Sequence, residues 1–282
     1  MQMKSYAKVN LYLRIGKKLK SGYHNIQSVM QPVELYDNIS FEKLKEDTII
    51  IESNNKELES KSNLAYKAAE LLKKRFNAKD GVKISIEKNI PTAAGLGGGS
   101  SNAASTLIAL NKIFGIKTSQ KKLISLASEI GSDVPFFITG TTSLVEGIGE
   151  KIKPIKRYPS INIVLVNPGI KLSTTKAYKE FDKSKLKHES KKDIKGLISG
   201  LNKKDLKKIS ENMHNDFDAL MEKKYRIIRE IKLNLRKFDA LNSMLVGSGS
   251  TVMGLFESIY TAREAYFKIK DMYPFVYLTK TF

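Results

Sequence analysis

"PTAAGLGGGSSNAASTLIALNKIFG", residues 91–115, puts four glycines in five positions, two serines straight after them, and then an apolar pattern of helical spacing. Just upstream, "GVKISIEKNI" (81–90) alternates like a strand, so the glycines make the turn between a strand and a helix. Glycine permits close backbone approach, and a helix N-terminus carries partial positive charge. Such a turn suits an anion, and phosphate is its natural ligand. A plain packing turn would also use glycine, but the length of the run, the paired serines and the immediate helix favour the anion. The loop is not a P-loop, because Gly99 is followed by Ser100 and Ser101 rather than by lysine. Nor is it a dinucleotide fingerprint, which would need glycine at position 100. Ser100 or Ser101 offers a hydroxyl to Mg²⁺, and a positive side chain for the phosphates has to come from elsewhere.

The pattern around this turn is that of an α+β protein. "AKVNLYLRIG" and "IQSVMQPVELYDNISFEKL" read as a pair of strands, and "DTIIIES" as another. "SNLAYKAAELLKKRFN" sets Leu64, Ala68, Leu71, Leu72 and Phe76 on one helical face, with Ser62 or Asn63 as its cap. A further helix, "SQKKLISLASEIG", starts at Thr118 or Ser119 and stops at Gly131, and the apolar, turn-rich stretch after it reads as extended in its later part. The pattern resets near "KRYPS", which divides the chain into lobes 1–157 and 158–282. The second lobe opens with strand "INIVLVNPG", passes through a lysine-dense helical stretch at 176–237, and closes with "LNSMLVGSGSTVMGLFES", a helix and a last strand. The lysine-rich residues 183–208 read as surface helices of that lobe.

Composition narrows the function classes. The net charge of +20 suggests nucleic acid, but it comes from 42 lysines against 7 arginines, interleaved with acidic residues on helix faces. That is a solvated surface rather than a nucleic-acid footprint, so no nucleic-acid partner is expected. The chain has no cysteine, which excludes disulfides and thiolate metal sites. No run of about 18 apolar residues could span a bilayer. The N-terminal stretch lacks the core and cleavage site of a secretory signal, so the cytoplasm is the expected compartment. His24, His188 and His214 lie in unrelated contexts without HExxH, and no GxSxG elbow occurs.

Four further stretches carry chemistry. In "GSDVPFF" (131–137), Asp133 follows a helix-ending glycine and precedes apolar residues, so it is either a partly desolvated base or an Asx-turn cap. In "SYAKVNLYL", Lys8 and Asn10 share one side of a strand, opposite Ala7, Val9 and Leu11. In "SGYHNIQ", Tyr23 is able to stack on a base and His24 to hydrogen-bond its edge. The late turn "VGSGST" (246–251), with Gly247, Ser248 and Gly249, is a second loop able to approach the same phosphates.

Taken in order, "AKVNLYL", "PTAAGLGGGSSNAAS", "GSDVPFF" and "VGSGSTVMGLF" resemble the GHMP family of small-molecule kinases over most of the chain. "SGYHNIQSVMQPVELYD", "GIGEKI" and "HNDFDAL" point to the branch of that family whose acceptor is a diphosphocytidyl methylerythritol. The resemblance implies a two-lobed fold, with an N-terminal ribosomal-protein-S5-domain-2-like lobe and a C-terminal ferredoxin-like α+β lobe. It implies ATP and Mg²⁺, a small-molecule acceptor, no membrane, and a monomer or weak homodimer. By motif position, Asp133 would be the general base, with Lys8 keeping it ionised and orienting the hydroxyl. Pro91, Thr92, Ala93, Ala94, Gly95, Leu96, Gly97, Gly98, Gly99, Ser100 and Ser101 would wrap the ATP phosphates, and Asn63 would meet adenine. Tyr23 and Tyr178 would sandwich cytosine, His24 would read its edge, and Asn10 and Thr174 would line the acceptor pocket. Departures from the family pattern, such as Tyr178 in place of phenylalanine and "SYAK" where a proline is common, remove no chemical group.

Overall fold

A computed structural model describes residues 1–155, 160–184 and 192–282 of the chain. The expected lobe boundary at 157/158 and part of the 183–208 stretch lie outside the described residues. In chain order the first half contains β1 (Gln2–Lys18), β2 (His24–Leu44), β3 (Ile49–Ser53), α1 (Leu64–Phe76), β4 (Gly81–Glu87), α2 (Gly98–Ile113), α3 (Gln120–Ile130), α4 (Val134–Thr139), β5 (Ser143–Gly147) and β6 (Lys151–Pro154). The second half contains β7 (Asn162–Asn167), α5 (Thr174–Lys183), α6 (Ile194–Lys203), α7 (Leu206–Asn212), β8 (His214–Asn215), α8 (Asp218–Lys224), α9 (Arg226–Lys237), β9 (Asn242–Leu245), β10 (Val252–Phe256), α10 (Ile259–Ile269) and β11 (Phe275–Lys280).

The first sheet runs β3-β4-β2-β1-β8, with β5 alongside β2 and β6 alongside β5. The long strand β2 holds β4 along its second half, Asn38–Leu44, and β5 near its start, Ile26–Met30. Helices α1 to α4 cover one face. Leu72, Leu107, Leu110 and Leu126 pack there with Ile84 and Ile86 of β4, all buried. Each such side chain contributes roughly 1.5–3 kcal/mol through burial, and this fixes α2 against the sheet. Asn63 caps α1, its side chain accepting from Ala65 N, and Ser119 caps α3 through Lys122 N.

The second sheet is antiparallel, in the order β11-β7-β10-β9. Leu235, Ala262, Ala265 and Ile269 of α9 and α10 share a cluster with Val164 and Val166 of β7. The other face of β7 and β10 packs on the first lobe: Ile163, Leu165, Met253 and Leu255 share a cluster with Ala7, Val9 and Leu11 of β1. One side of β1 is therefore committed to the lobe interface. Its other side, where Lys8 and Asn10 point, is left for a site.

The later part of the stretch after Gly131 is extended, at β5 and β6, and its start forms the short helix α4, where Pro135 sits in the first turn and its missing N–H costs nothing. One expectation changes. The lysine-dense stretch of the second half is interrupted by β8, which crosses over and pairs in parallel with Tyr12 and Leu13 of β1.

Candidate active site

A cavity of about 800 Å³ opens between the lobes, lined from both halves of the chain. Its first wall is the glycine loop. Gly95 and Gly97 have φ of 81° and 72°, values that side chains resist. Space imposes the same choice: a Cβ on Gly97 would stand 2.8 Å from the Phe137 ring and 3.2 Å from Lys8 Cγ. On Gly95 it would meet Val246 O at 2.2 Å. Gly97 is the N-cap of α2 and supplies no side-chain hydrogen bond. The first-turn N–H groups of α2 therefore remain for a ligand beside the cavity, which Gly98, Gly99 and Ser100 line.

Across from the loop, Lys8 is 3% exposed and its Nζ lies 3.8 Å from Asp133 Oδ2. Lys8 Nζ donates to Asn10 Oδ1 at 2.7 Å, and Asn10 Nδ2 donates to Ser28 Oγ at 2.9 Å, so β1 holds the ammonium at a fixed height. Lys8 N donates to Leu96 O at 3.0 Å, which ties β1 directly to the glycine loop. Burial pulls the Lys8 ammonium below the ordinary lysine value, and Asp133 opposes that shift. The Asp133 side chain keeps 31% exposure and faces the same cavity. It makes no capping bond to α4, so the Asx-turn reading does not describe it.

The second glycine loop forms the far wall. Gly247 and Ser248 line the cavity, and Ser248 Oγ shares a hydrogen bond of 3.0 Å with Thr174 Oγ1 at the start of α5. Gly249 does not line the cavity, and a Cβ on it would meet Leu245 and Leu172. Tyr178, one turn along α5, faces the cavity with its hydroxyl pKa raised by burial.

The remaining sequence-derived residues divide. Pro91, Thr92, Ala93, Ala94, Gly95 and Gly97 through Ser100 line the cavity, as do Asn10, Asn63 and Thr174. Leu96 and Ser101 do not line it. Leu96 is a buried side chain, and the Ser101 hydroxyl, 3% exposed, accepts from Ser5 Oγ at 2.8 Å. Of the two serines, Ser100 is thus the one whose hydroxyl borders the site. Asn63 borders the cavity, but its amide already bonds Ala65 N and Leu58 O. Tyr23 does not join the others. It is 59% exposed at the turn closed by Leu19 N to Tyr23 O, and the expected Tyr23–Tyr178 sandwich is not formed. His24 itself stacks on Tyr178, with centroids 5.0 Å apart at 21°, and its Nε2 meets Asp182 Oδ1 at 2.8 Å.

Sequence reasoning missed Lys88, Asp37 and Asp182. Lys88 lines the cavity beside α2, so close that a Cβ on Gly98 would meet its Nζ at 2.8 Å. It pairs at 2.6 Å with Asp37, whose side chain is fully buried and also accepts from Asn89 N, Ile90 N and Asn102 Nδ2. Burial holds the Lys88 ammonium below its ordinary range, against Asp37. The signal available was "EKNIP" running into the glycine turn, with a lysine at the strand end nearest the loop. A wider groove of about 1050 Å³ over the open side of the first sheet, lined by residues such as Lys4, Asn38 and Glu87, gathers no comparable constellation.

Two lobes that close a helix N-terminus against a buried lysine and a half-buried aspartate beside it fit a small-molecule kinase of the GHMP class. The profile described as GHMP kinases N terminal domain matches residues 63–141, and that described as GHMP kinases C terminal matches residues 197–274. A 4-diphosphocytidyl-2-C-methyl-D-erythritol kinase from Caldicellulosiruptor saccharolyticus is 41% identical over 282 residues, covering 100% of this chain and 97% of the relative. One from Clostridium perfringens is 42% identical over 284 residues, covering 100% and 98%. A crystal structure of 4-(cytidine 5'-diphospho)-2C-methyl-D-erythritol kinase superposes with a TM-score of 0.84 at 27% identity, covering 100% of this chain and 99% of that one. The chain belongs to the 4-diphosphocytidyl-2-C-methyl-D-erythritol kinase family.

Proposed function

We infer that this chain transfers the γ-phosphoryl group of ATP to the 2-hydroxyl of 4-diphosphocytidyl-2-C-methyl-D-erythritol, giving the 2-phosphate and ADP in the methylerythritol phosphate route to isoprenoid precursors. The observation that carries the reading is the Lys8–Asp133 pair facing the uncapped start of α2 across one cavity. In-line phosphoryl transfer asks a protein chiefly for positioning and charge neutralisation, with one carboxylate to take the hydroxyl proton. The loop's backbone and helix dipole hold the phosphates, and Lys88 adds positive charge beside them. Asp133 accepts the acceptor's proton, with the Lys8 ammonium, kept in place by Asn10, beside it as counter-charge.

Among the described residues no group of three or more histidine, aspartate and glutamate side chains is gathered for a metal. Mg²⁺ would be held mostly by phosphate and water oxygens, with Ser100, which lines the cavity, as the side chain able to join them. Mg²⁺ would supply neutralisation of phosphate charge there. At the acceptor end, Tyr178 offers a face for the cytosine ring, and His24, anchored by Asp182, offers an edge. No helix among the described residues is long and apolar enough to cross a membrane. The reaction belongs in the cytoplasm, where ATP and a charged diphosphocytidyl acceptor meet.

An ADP-release assay against a panel of acceptors tests the reading. ADP should appear with the diphosphocytidyl substrate and stay at background with mevalonate or homoserine. A preference for either of the latter would assign the site to another acceptor.

A further inference from the structure

The segment "HNDFDAL" (214–220) lies outside the chemistry described above, yet it joins the two lobes beside it. It is anchored to β1 independently of the Asn215 side chain: Asp216 N donates to Leu13 O at 3.0 Å, and Asp216 Oδ2 accepts from Ile15 N at 2.6 Å. The Asn215 side chain then reaches the other way. It is buried, at 4% exposure, and its Nδ2 donates to both Leu245 O and Gly247 O at 2.8 Å. Its Oδ1 accepts from Phe217 N at 3.0 Å, so both amide hydrogens and the oxygen are in use.

What Asn215 holds is the tip of the second glycine loop. Gly247 has φ of 56°, and a Cβ there would lie 3.2 Å from Gly95 O, 3.3 Å from Lys8 Nζ and 3.6 Å from Asn10 Oδ1. The Gly247 backbone is therefore packed against the first glycine loop and the Lys8 ammonium together. The two carbonyls that Asn215 binds flank the residue whose oxygen touches Gly95, Val246. A shift of this peptide would separate the two loops and admit water to Lys8.

We propose that Asn215 is a positioning residue for the transfer: by binding Leu245 O and Gly247 O from β8, it sets the second glycine loop against Lys8 and the first loop in a single register. The inference rests on the kinase reading but concerns a residue that does not line the cavity. Preorganised groups lose most of their catalytic effect when their support loosens by a fraction of an ångström.

Asn215→Asp tests it, since it keeps the size and the oxygen that accepts from Phe217 N while turning a second oxygen toward two carbonyls. With the acceptor that the wild-type chain turns over best, kcat should fall about 100-fold while KM for ATP stays within about threefold. Gly247→Ala disturbs the same contact from the opposite side, so the double variant should lose no more than the worse single one. A folded Asn215→Asp with kcat within about twofold of wild type, or single losses that multiply in the double variant, would overturn the proposal. Should that variant not fold, Asn215→Ser, which keeps one donor, takes its place with an intermediate loss expected, and unchanged kcat there would overturn the proposal equally. Failure of the kinase reading shows separately, as absence of acceptor-dependent ADP in the wild-type chain.

Discussion

The two glycine loops meet at Gly95 and Val246 but are supported by opposite means. The first is held from beneath by charge: the fully buried Asp37 carboxylate binds Lys88 and two backbone N–H groups at the strand exit, and Asn102 of α2. The second is held by a neutral amide, that of Asn215, and a carboxylate reaches only its base, where Asp218 accepts from Leu245 N. The first loop also presents an uncapped helix start and an ammonium to the cavity, whereas the second presents a serine hydroxyl and backbone. On electrostatic grounds the first loop is the better place for an anion. On the proposed reading, the second closes the site without adding charge where the acceptor hydroxyl gives up its proton.

The largest effect that would break this contrast is expected at Asp37. Asp37→Asn leaves Lys88 buried without its counter-charge, and removing one partner of such a pair costs about 3 kcal/mol of folding stability, measurable by urea titration. A loss under about 1 kcal/mol would mean that the ion pair is not what holds the loop. ATP affinity should fall as well, because the strand exit and α2 lose a shared anchor.

The contrast is sharpened next by pH. On the proposed reading the charged form of Lys8 is the working form, and burial lowers its pKa from the ordinary 10.5. Turnover should be full below that depressed value and decline as pH rises through it, giving an alkaline limb below 10.5 in the kcat profile. A limb at the ordinary value would contradict the closed contact between Gly247 and the ammonium.

The smallest effect is expected at Ser248, the polar side chain of the second loop at the cavity. Ser248→Ala removes a hydroxyl whose partner, Thr174, keeps access to water, so KM for the acceptor should change by about threefold or less, with kcat unaltered. A fall in kcat comparable to that expected for Asn215→Asp would show that the second loop acts chemically rather than as a wall.

What the sequence displayed and what it hid follow the range of the interactions. The glycine turn, the caps at Asn63 and Ser119 and the alternation of β1 are local, and each is readable from a few neighbouring residues. β8 was hidden because two residues inside a lysine-dense helical stretch carry no period, and their partner strand lies some 200 positions earlier. Lys88 looked like any lysine at a strand end, since only tertiary packing reveals the buried aspartate beneath it. The Lys8–Asp133 juxtaposition was likewise invisible to spacing and came from the motif order alone. Tyr23 shows the converse: its neighbours His24 and Tyr178 meet across the lobes, while its own ring stays at an exposed turn.

The general-base role of Asp133 is tested most directly by the Asp133→Asn variant, assayed for ADP release with the diphosphocytidyl substrate and, separately, for binding of a non-hydrolysable ATP analogue. In that variant kcat should fall roughly 10³-fold while the analogue binds as it does to the wild-type chain. Turnover near the wild-type rate would contradict the assignment.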